Sequence, residues 1–263
     1  MFSASLSLSI GAFIGVLLSG GFVWWEVGRY ATPQVPASLF DERRELFAYT
    51  AGLFVGVPLA LAYILYIDSM GNLAIPGALV FLALLIGGTE FAQWEFVRTR
   101  FWGRDESTPF YALGYRAAIG GIVALAIGSQ YFASPSLSVE GSVLVVLDSV
   151  AVVSLEVAGA LLSVRARPGS GRTGGGPVSG AIFGAVGFFL LGLGAAAGGA
   201  TAYGGAVVAV AGAVLVYRRL RPMLAAIPPP SAGPPAAPGR PATPYARTDQ
   251  GVPSGPESRP RSR

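Results

Sequence analysis

The chain alternates between long apolar stretches and short polar connections. Seven apolar segments follow one another, at residues 6–25, 46–67, 73–94, 111–132, 142–163, 178–198 and 201–217. Each holds about 17–23 residues, which as a helix rising 1.5 Å per residue crosses a hydrocarbon core about 30 Å thick. A helix also satisfies its own backbone polar groups, as lipid demands. The pattern predicts an all-α, polytopic integral membrane protein with seven transmembrane helices.

Within the connections, the basic residues lie only in the odd-numbered ones, and the even-numbered connections carry none. The arginines of the first, third and fifth connections are Arg29, Arg43, Arg44, Arg98, Arg100, Arg104, Arg165, Arg167 and Arg172. Eight more arginines follow from Arg218 onward, and only Arg116 lies within an apolar segment. Because cytoplasmic loops retain basic residues, the alternation predicts an outside N-terminus and an inside C-terminus, in the plasma membrane.

Composition excludes several kinds of chemistry. The chain is 52% hydrophobic and 12% charged, and it contains no cysteine, histidine or lysine. A disulfide, a Cys/His zinc site, a His-ligated haem and a lysine Schiff base are therefore ruled out. The net charge of +4 comes from arginines beside the apolar segments, which set topology and attract anionic lipid headgroups. We expect no cofactor, no metal site and no nucleic-acid partner.

Two regions differ in composition. Residues 1–222 form the predicted seven-helix domain, whereas residues 223–263 are rich in proline, alanine, glycine, serine and arginine. The second region cannot bury enough apolar surface to fold, so we expect a disordered cytoplasmic tail. It either docks on anionic lipid through its arginines or is a solvated tail without a role.

Two charged residues lie at similar predicted depth in segments 3 and 4. Glu90 lies about one turn above the inner end of segment 3, and Arg116 about two turns above Pro109 at the start of segment 4. Since neighbouring segments run antiparallel, we expect a salt bridge, extended by Gln93 one turn from Glu90. The pair either fixes the packing of two helices or takes part in a pathway. The acids at segment ends, such as Glu26, are expected to be solvated.

Segment 5 carries two further acids, Asp148 and Glu156, eight residues apart. This spacing is just over two helical turns, so both project from one face. With Arg116 placed near the inner surface, no intramembrane base is left for them, and we expect unpaired, partly protonated carboxyl groups. Protonatable acids at successive depths in a membrane are suited to proton transfer or cation binding. The alternative is that they are neutral acids hydrogen-bonded to tyrosines such as Tyr63.

Segments 6 and 7 are dominated by glycine and alanine. Small residues at helical spacing let two backbones approach, and close packing supplies an attraction that lipid cannot. We expect a tight hairpin that packs internally, against a second copy or against another membrane partner. The candidate packing residues are Gly180, Gly184, Gly187, Gly194 and Gly198.

Two functions remain open. The first is a small transporter or channel for protons or cations, with Asp148 and Glu156 lining the path and the Glu90–Arg116 pair as an inner gate. The second is a non-transporting scaffold, assembly factor or sensor subunit, which the glycine-rich hairpin and basic tail favour. An enzyme is not expected, because an acid dyad needs two acids at one depth on different helices, and Asp148 and Glu156 share a helix.

Overall fold

The computed structural model describes residues 3–28, 41–98, 108–134, 138–164 and 176–224. Within these ranges the chain forms seven α-helices and one short 3-10 turn. They are α1 (Ala4–Val27), α2 (Glu42–Gly71), α3 (Ile75–Arg98), α4 (Thr108–Ala133), α5 (Val139–Val164), α6 (Gly176–Ala197), α7 (Gly199–Leu220) and the turn Arg221–Met223.

All seven helices are long and apolar enough to cross a membrane. The prediction of an all-α protein with seven candidate spans is therefore confirmed. The sidedness still rests on the arginine pattern, and the predicted tail lies outside the described residues from 225 onward.

Local signals fix several helix ends. The Asp41 side chain accepts a hydrogen bond from the backbone N–H of Arg43 at 2.9 Å and so caps the start of α2. Ser3 caps α1 in the same way through the backbone N–H of Leu6. Between α6 and α7, Gly198 and Gly199 have φ values of 67° and 52°. Glycine adopts this left-handed region without a Cβ clash, so the chain reverses direction at once.

Helix α4 lies at the centre of the bundle. It packs against α1, α2 and α5, and most of its side chains are buried. Glycines allow the closest approaches, since a Cβ on Gly15 of α1 would collide with the Gly121 carbonyl of α4. A Cβ on Gly52 of α2 would likewise collide with the Tyr115 carbonyl. Helices α1 and α2 thus use α4 as a common surface.

Helices α6 and α7 form the predicted hairpin. A Cβ on Gly194 would lie 3.0 Å from the Ala202 Cα of α7, so the two backbones nearly touch there. Gly198 forms the turn. These two of the candidate glycines act between α6 and α7.

The other candidate glycines face α3 and α5. A Cβ on Gly184 would lie 3.1 Å from Ile86 of α3, and a Cβ on Gly187 would collide with Leu155 of α5. Gly180 also faces α3 and α5. These glycines therefore pack α6 onto the bundle rather than onto α7.

Candidate functional site

Five polar side chains meet where α3, α4 and α5 come together, and we call them the charge cluster. Its members are Glu90, Gln93, Arg116, Glu156 and Ser163. The three charged members lie at one depth. Each is eight residues from the arginine-rich end of its helix, which is about 12 Å along the axis.

Arg116 is the centre of the charge cluster. Its Nη1 donates to Glu90 Oε1 at 2.9 Å and to Gln93 Oε1 at 3.1 Å. Its Nε forms an ion pair with Glu156 Oε2 at 2.5 Å. The side chains of Arg116 and Glu156 are 3% and 1% exposed, and that of Glu90 is 9% exposed. The predicted Glu90–Arg116 bridge and its extension to Gln93 are confirmed.

Further hydrogen bonds link α3 to α5. The Ser163 hydroxyl lies 2.7 Å from Glu90 Oε2 and 2.9 Å from the Gly159 carbonyl oxygen. Gln93 Nε2 donates to the Ala160 carbonyl oxygen at 3.3 Å. Apart from these polar bonds, α3 packs mainly on α2 and α6 and has little contact with α4. The charge cluster therefore attaches α3 to the centre of the bundle.

Glycines on three helices leave room for the charged groups. A Cβ on Gly159 would lie 2.8 Å from Arg116 Nη2, and a Cβ on Gly120 would lie 3.3 Å from Glu156 Cβ. A Cβ on Gly180 of α6 would lie 2.9 Å from Glu90 Oε1. Larger residues at these positions would push the helices apart or displace the guanidinium and carboxylates.

The expectation that Glu156 has no basic partner is wrong, because it contacts Arg116. Helices α4 and α5 are antiparallel neighbours, and the two residues lie equally far from the same end of the bundle. Counting residues to each arginine-rich helix end would have shown this. The contact also brings Glu90 and Glu156 to one depth from different helices, with both carboxylates on the guanidinium.

The charge cluster contains one more ionisable acid than base. Two carboxylates, Glu90 and Glu156, face one guanidinium, that of Arg116. The second carboxylate oxygen of Glu156, Oε1, has no hydrogen-bond partner among the described residues. An uncompensated buried charge costs several kcal/mol even after relaxation.

Asp148 lies outside the charge cluster, in the opposite half of α5. It is half-buried and lines a cleft of about 310 Å³ between α2, α4, α5 and α6, which we call the aspartate cleft. Asp68, Gln130 and Tyr63 line the same cleft. The hydrogen bond between Asp148 and Tyr63, which was the alternative interpretation, is not found among the described contacts. Asp148 is thus a carboxyl group open to a cavity.

Packed apolar side chains separate the aspartate cleft from the charge cluster. Val152 and Leu155, which are 0% and 2% exposed, lie between Asp148 and Glu156 on α5. The Ser149 hydroxyl, 2.7 Å from the Val145 carbonyl oxygen, bonds to its own helix. The two acids therefore occupy separate sites that are closed to one another in this conformation.

Two other acids, Glu26 and Glu45, are also buried. Glu26 is 0% exposed, and its Oε1 lies 3.2 Å from Arg221 Nε, so the expectation that it is solvated is wrong. The turn after α7 brings Arg221 beside Glu26 of α1. Glu45 is 4% exposed. In the sequence, Glu45 precedes the buried positions Ala48 and Gly52 by three and seven residues, a spacing that places all three on one face of α2.

The chain matches no protein-family model, no curated protein and no solved structure.

Proposed function

We propose that this membrane protein is a small transporter or channel for protons or other small cations. The observation that carries the proposal is the charge cluster, in which two buried carboxylates face one guanidinium. Intramembrane ionisable groups are costly and commonly mark ion pathways. A proton or cation bound beside Glu156 brings the cluster to neutrality, whereas its departure leaves a buried negative charge.

The aspartate cleft supplies the second site of the proposed pathway. Asp148 is reached from the end of the bundle opposite the arginine-rich end, and the arginine pattern predicts that this end faces outside. It lies eight residues, or about 12 Å, from Glu156 along α5. Val152 and Leu155 are buried and lie between the two acids along α5, so the proposed passage requires a displacement of side chains or of a helix. The proposed pathway then has two binding sites, the aspartate cleft and the charge cluster, and the segment between them must open for passage.

Flux into liposomes tests the proposal. Purified protein is reconstituted around a pH-sensitive dye, and a potassium gradient with valinomycin drives proton entry. We expect Glu156→Gln and Asp148→Asn each to lower the flux by more than about tenfold, which corresponds to about 1.4 kcal/mol in a barrier. Glu140→Gln is the matched control, because Glu140 lies on the same helix and is exposed.

The same assay separates the two candidate functions. One observation favours a non-transporting role, namely that the charge cluster also attaches α3 to α4 and α5. Wild-type protein without proton or cation flux, or flux unchanged in both variants, would contradict transport. Either result would leave the cluster as a packing device of a membrane scaffold.

Sidedness is tested by labelling single cysteines, since the natural chain has none. Asn72 lies in the exposed turn between α2 and α3, and Arg219 is exposed near the end of α7. We expect a membrane-impermeant maleimide to label Asn72→Cys in intact cells and Arg219→Cys only after lysis. The reverse pattern would invert the topology and the direction of the proposed pathway.

A further inference from the structure

A groove of about 370 Å³ lies between α1 and α2 at the arginine-rich end of the bundle. It exists because both helices pack on α4 and hardly touch each other. Its walls include Val23 and Trp24 of α1 and Leu46 and Tyr49 of α2, with Glu45 also lining it. Trp24 is 80% exposed and Leu46 is 68% exposed, so the mouth opens toward lipid. We call this the Glu45 groove.

Glu45 is a buried acid without a described partner. Its side chain packs against Gly114 of α4, where a Cβ would lie 2.9 Å from the carboxyl carbon. Neither carboxylate oxygen has a hydrogen-bond partner among the described residues. Buried polar groups are nearly always satisfied, and a buried carboxylate strongly favours a positive partner. The nearby Arg44 is directed to Asp41 instead, at 3.5 Å.

The walls of the groove suit an ammonium group better than a metal ion. The part of the chain that the structure describes holds no group of three acidic residues able to bind a metal, and divalent cations require many oxygen ligands. An ammonium group, in contrast, is stabilised by a carboxylate and by aromatic rings, and Trp24 and Tyr49 both line the groove. Tyr49 is held in place by its hydroxyl, 2.8 Å from the Ser19 hydroxyl of α1.

We propose that the Glu45 groove binds an amphiphile with an ammonium headgroup, of the phosphatidylethanolamine kind. The Glu45 carboxylate, which lies against Gly114 of α4, turns toward the groove to pair with the ammonium group. The alkyl chain lies against Val23, Trp24 and Leu46. A soluble amine has the same cationic group but gains nothing from these apolar walls. The opening toward lipid therefore selects the amphiphile over the soluble amine.

Native mass spectrometry of the purified full chain tests this inference. The probes are dimyristoyl phosphatidylethanolamine, its N-acetylated form, which lacks the charge, and phosphatidylglycerol with the same chains. We expect wild-type protein to retain phosphatidylethanolamine over the N-acetylated lipid by about tenfold, the effect of one charge-assisted hydrogen bond. Glu45→Gln should lose this preference and keep its phosphatidylglycerol binding, whereas the distant Glu140→Gln should behave as wild type.

Two outcomes would overturn the inference. Equal retention of phosphatidylethanolamine and its N-acetylated form by wild-type protein does so without any variant, even if Glu45→Gln fails to fold. Displacement of the lipid by free ethanolamine at millimolar concentration would identify a soluble amine as the ligand.

Discussion

Replacing Arg116 with methionine should strongly destabilise the bundle. Methionine keeps an unbranched apolar side chain and removes the positive charge. The carboxylates of Glu90 and Glu156, 9% and 1% exposed, would then lie close together without their cation. Gln93 would also lose the donor that Arg116 supplies at 3.1 Å.

The magnitude follows from the burial of the charge cluster. Removing one partner of a buried ion pair costs about 3–5 kcal/mol, because an uncompensated charge remains. Loss of the hydrogen bond to Gln93 adds about 1 kcal/mol. Relaxation of the site and water entry limit the total, so we expect Arg116→Met to lower the free energy of unfolding by about 3–5 kcal/mol. The triple variant with Glu90→Gln and Glu156→Gln has no charge left and should lie within about 2 kcal/mol of wild type.

The free energy of unfolding is measured by titrating sodium dodecyl sulfate into mixed micelles and following helical circular dichroism. Arg219→Met is the control, since Arg219 is exposed, and should change the value by no more than about 0.5 kcal/mol. A loss of less than about 1 kcal/mol in Arg116→Met, well below the cost of leaving a buried charge unpaired, would contradict the role of Arg116 as the counter-charge of the cluster. A triple variant no more stable than the single variant would refute it equally.

Two further substitutions probe close packing and a buried hydrogen bond. Gly159→Ala places a Cβ 2.8 Å from Arg116 Nη2 and should cost about 1–3 kcal/mol, whereas Gly21→Ala meets nothing within 4 Å and should be neutral or stabilising. Thermal melting of both variants checks this, and equal melting temperatures would contradict it. Tyr66→Phe removes a hydroxyl that donates to the Phe188 carbonyl oxygen at 2.9 Å and should cost about 1 kcal/mol in the detergent titration. An unchanged value would mean that another donor replaces the hydroxyl.

The helices were predictable because hydropathy depends on each segment by itself. Every predicted apolar segment lies largely within one of the helices, although helix ends extend beyond the apolar part. Helix α2 begins at Glu42 rather than near residue 46, because Asp41 caps it and its first turn carries charged residues. Hydropathy has no signal for a polar first turn, but the capping residue does.

The contacts of the charge cluster were predictable only where residues on two adjacent helices could be compared by their distance from the same end of the bundle. Antiparallel order places Glu90 beside Arg116, and the same count along α4 and α5 places Glu156 there too. Burial of Glu26 depends on Arg221, which lies 195 positions away along the chain. A contact across such a separation has no local sequence signal, so it requires the tertiary arrangement.

The central place of α4 has a consequence for biosynthesis. Helices α1 and α2 leave the ribosome before α4, yet Gly15 and Gly52 find their close-packing surfaces on α4. Until Ala133 has been made, the first spans can have few lasting neighbours in the bilayer. A nascent chain stopped after α3 should therefore be degraded by membrane proteases much faster than one that includes α4, and pulse-chase labelling of such truncations would measure the difference.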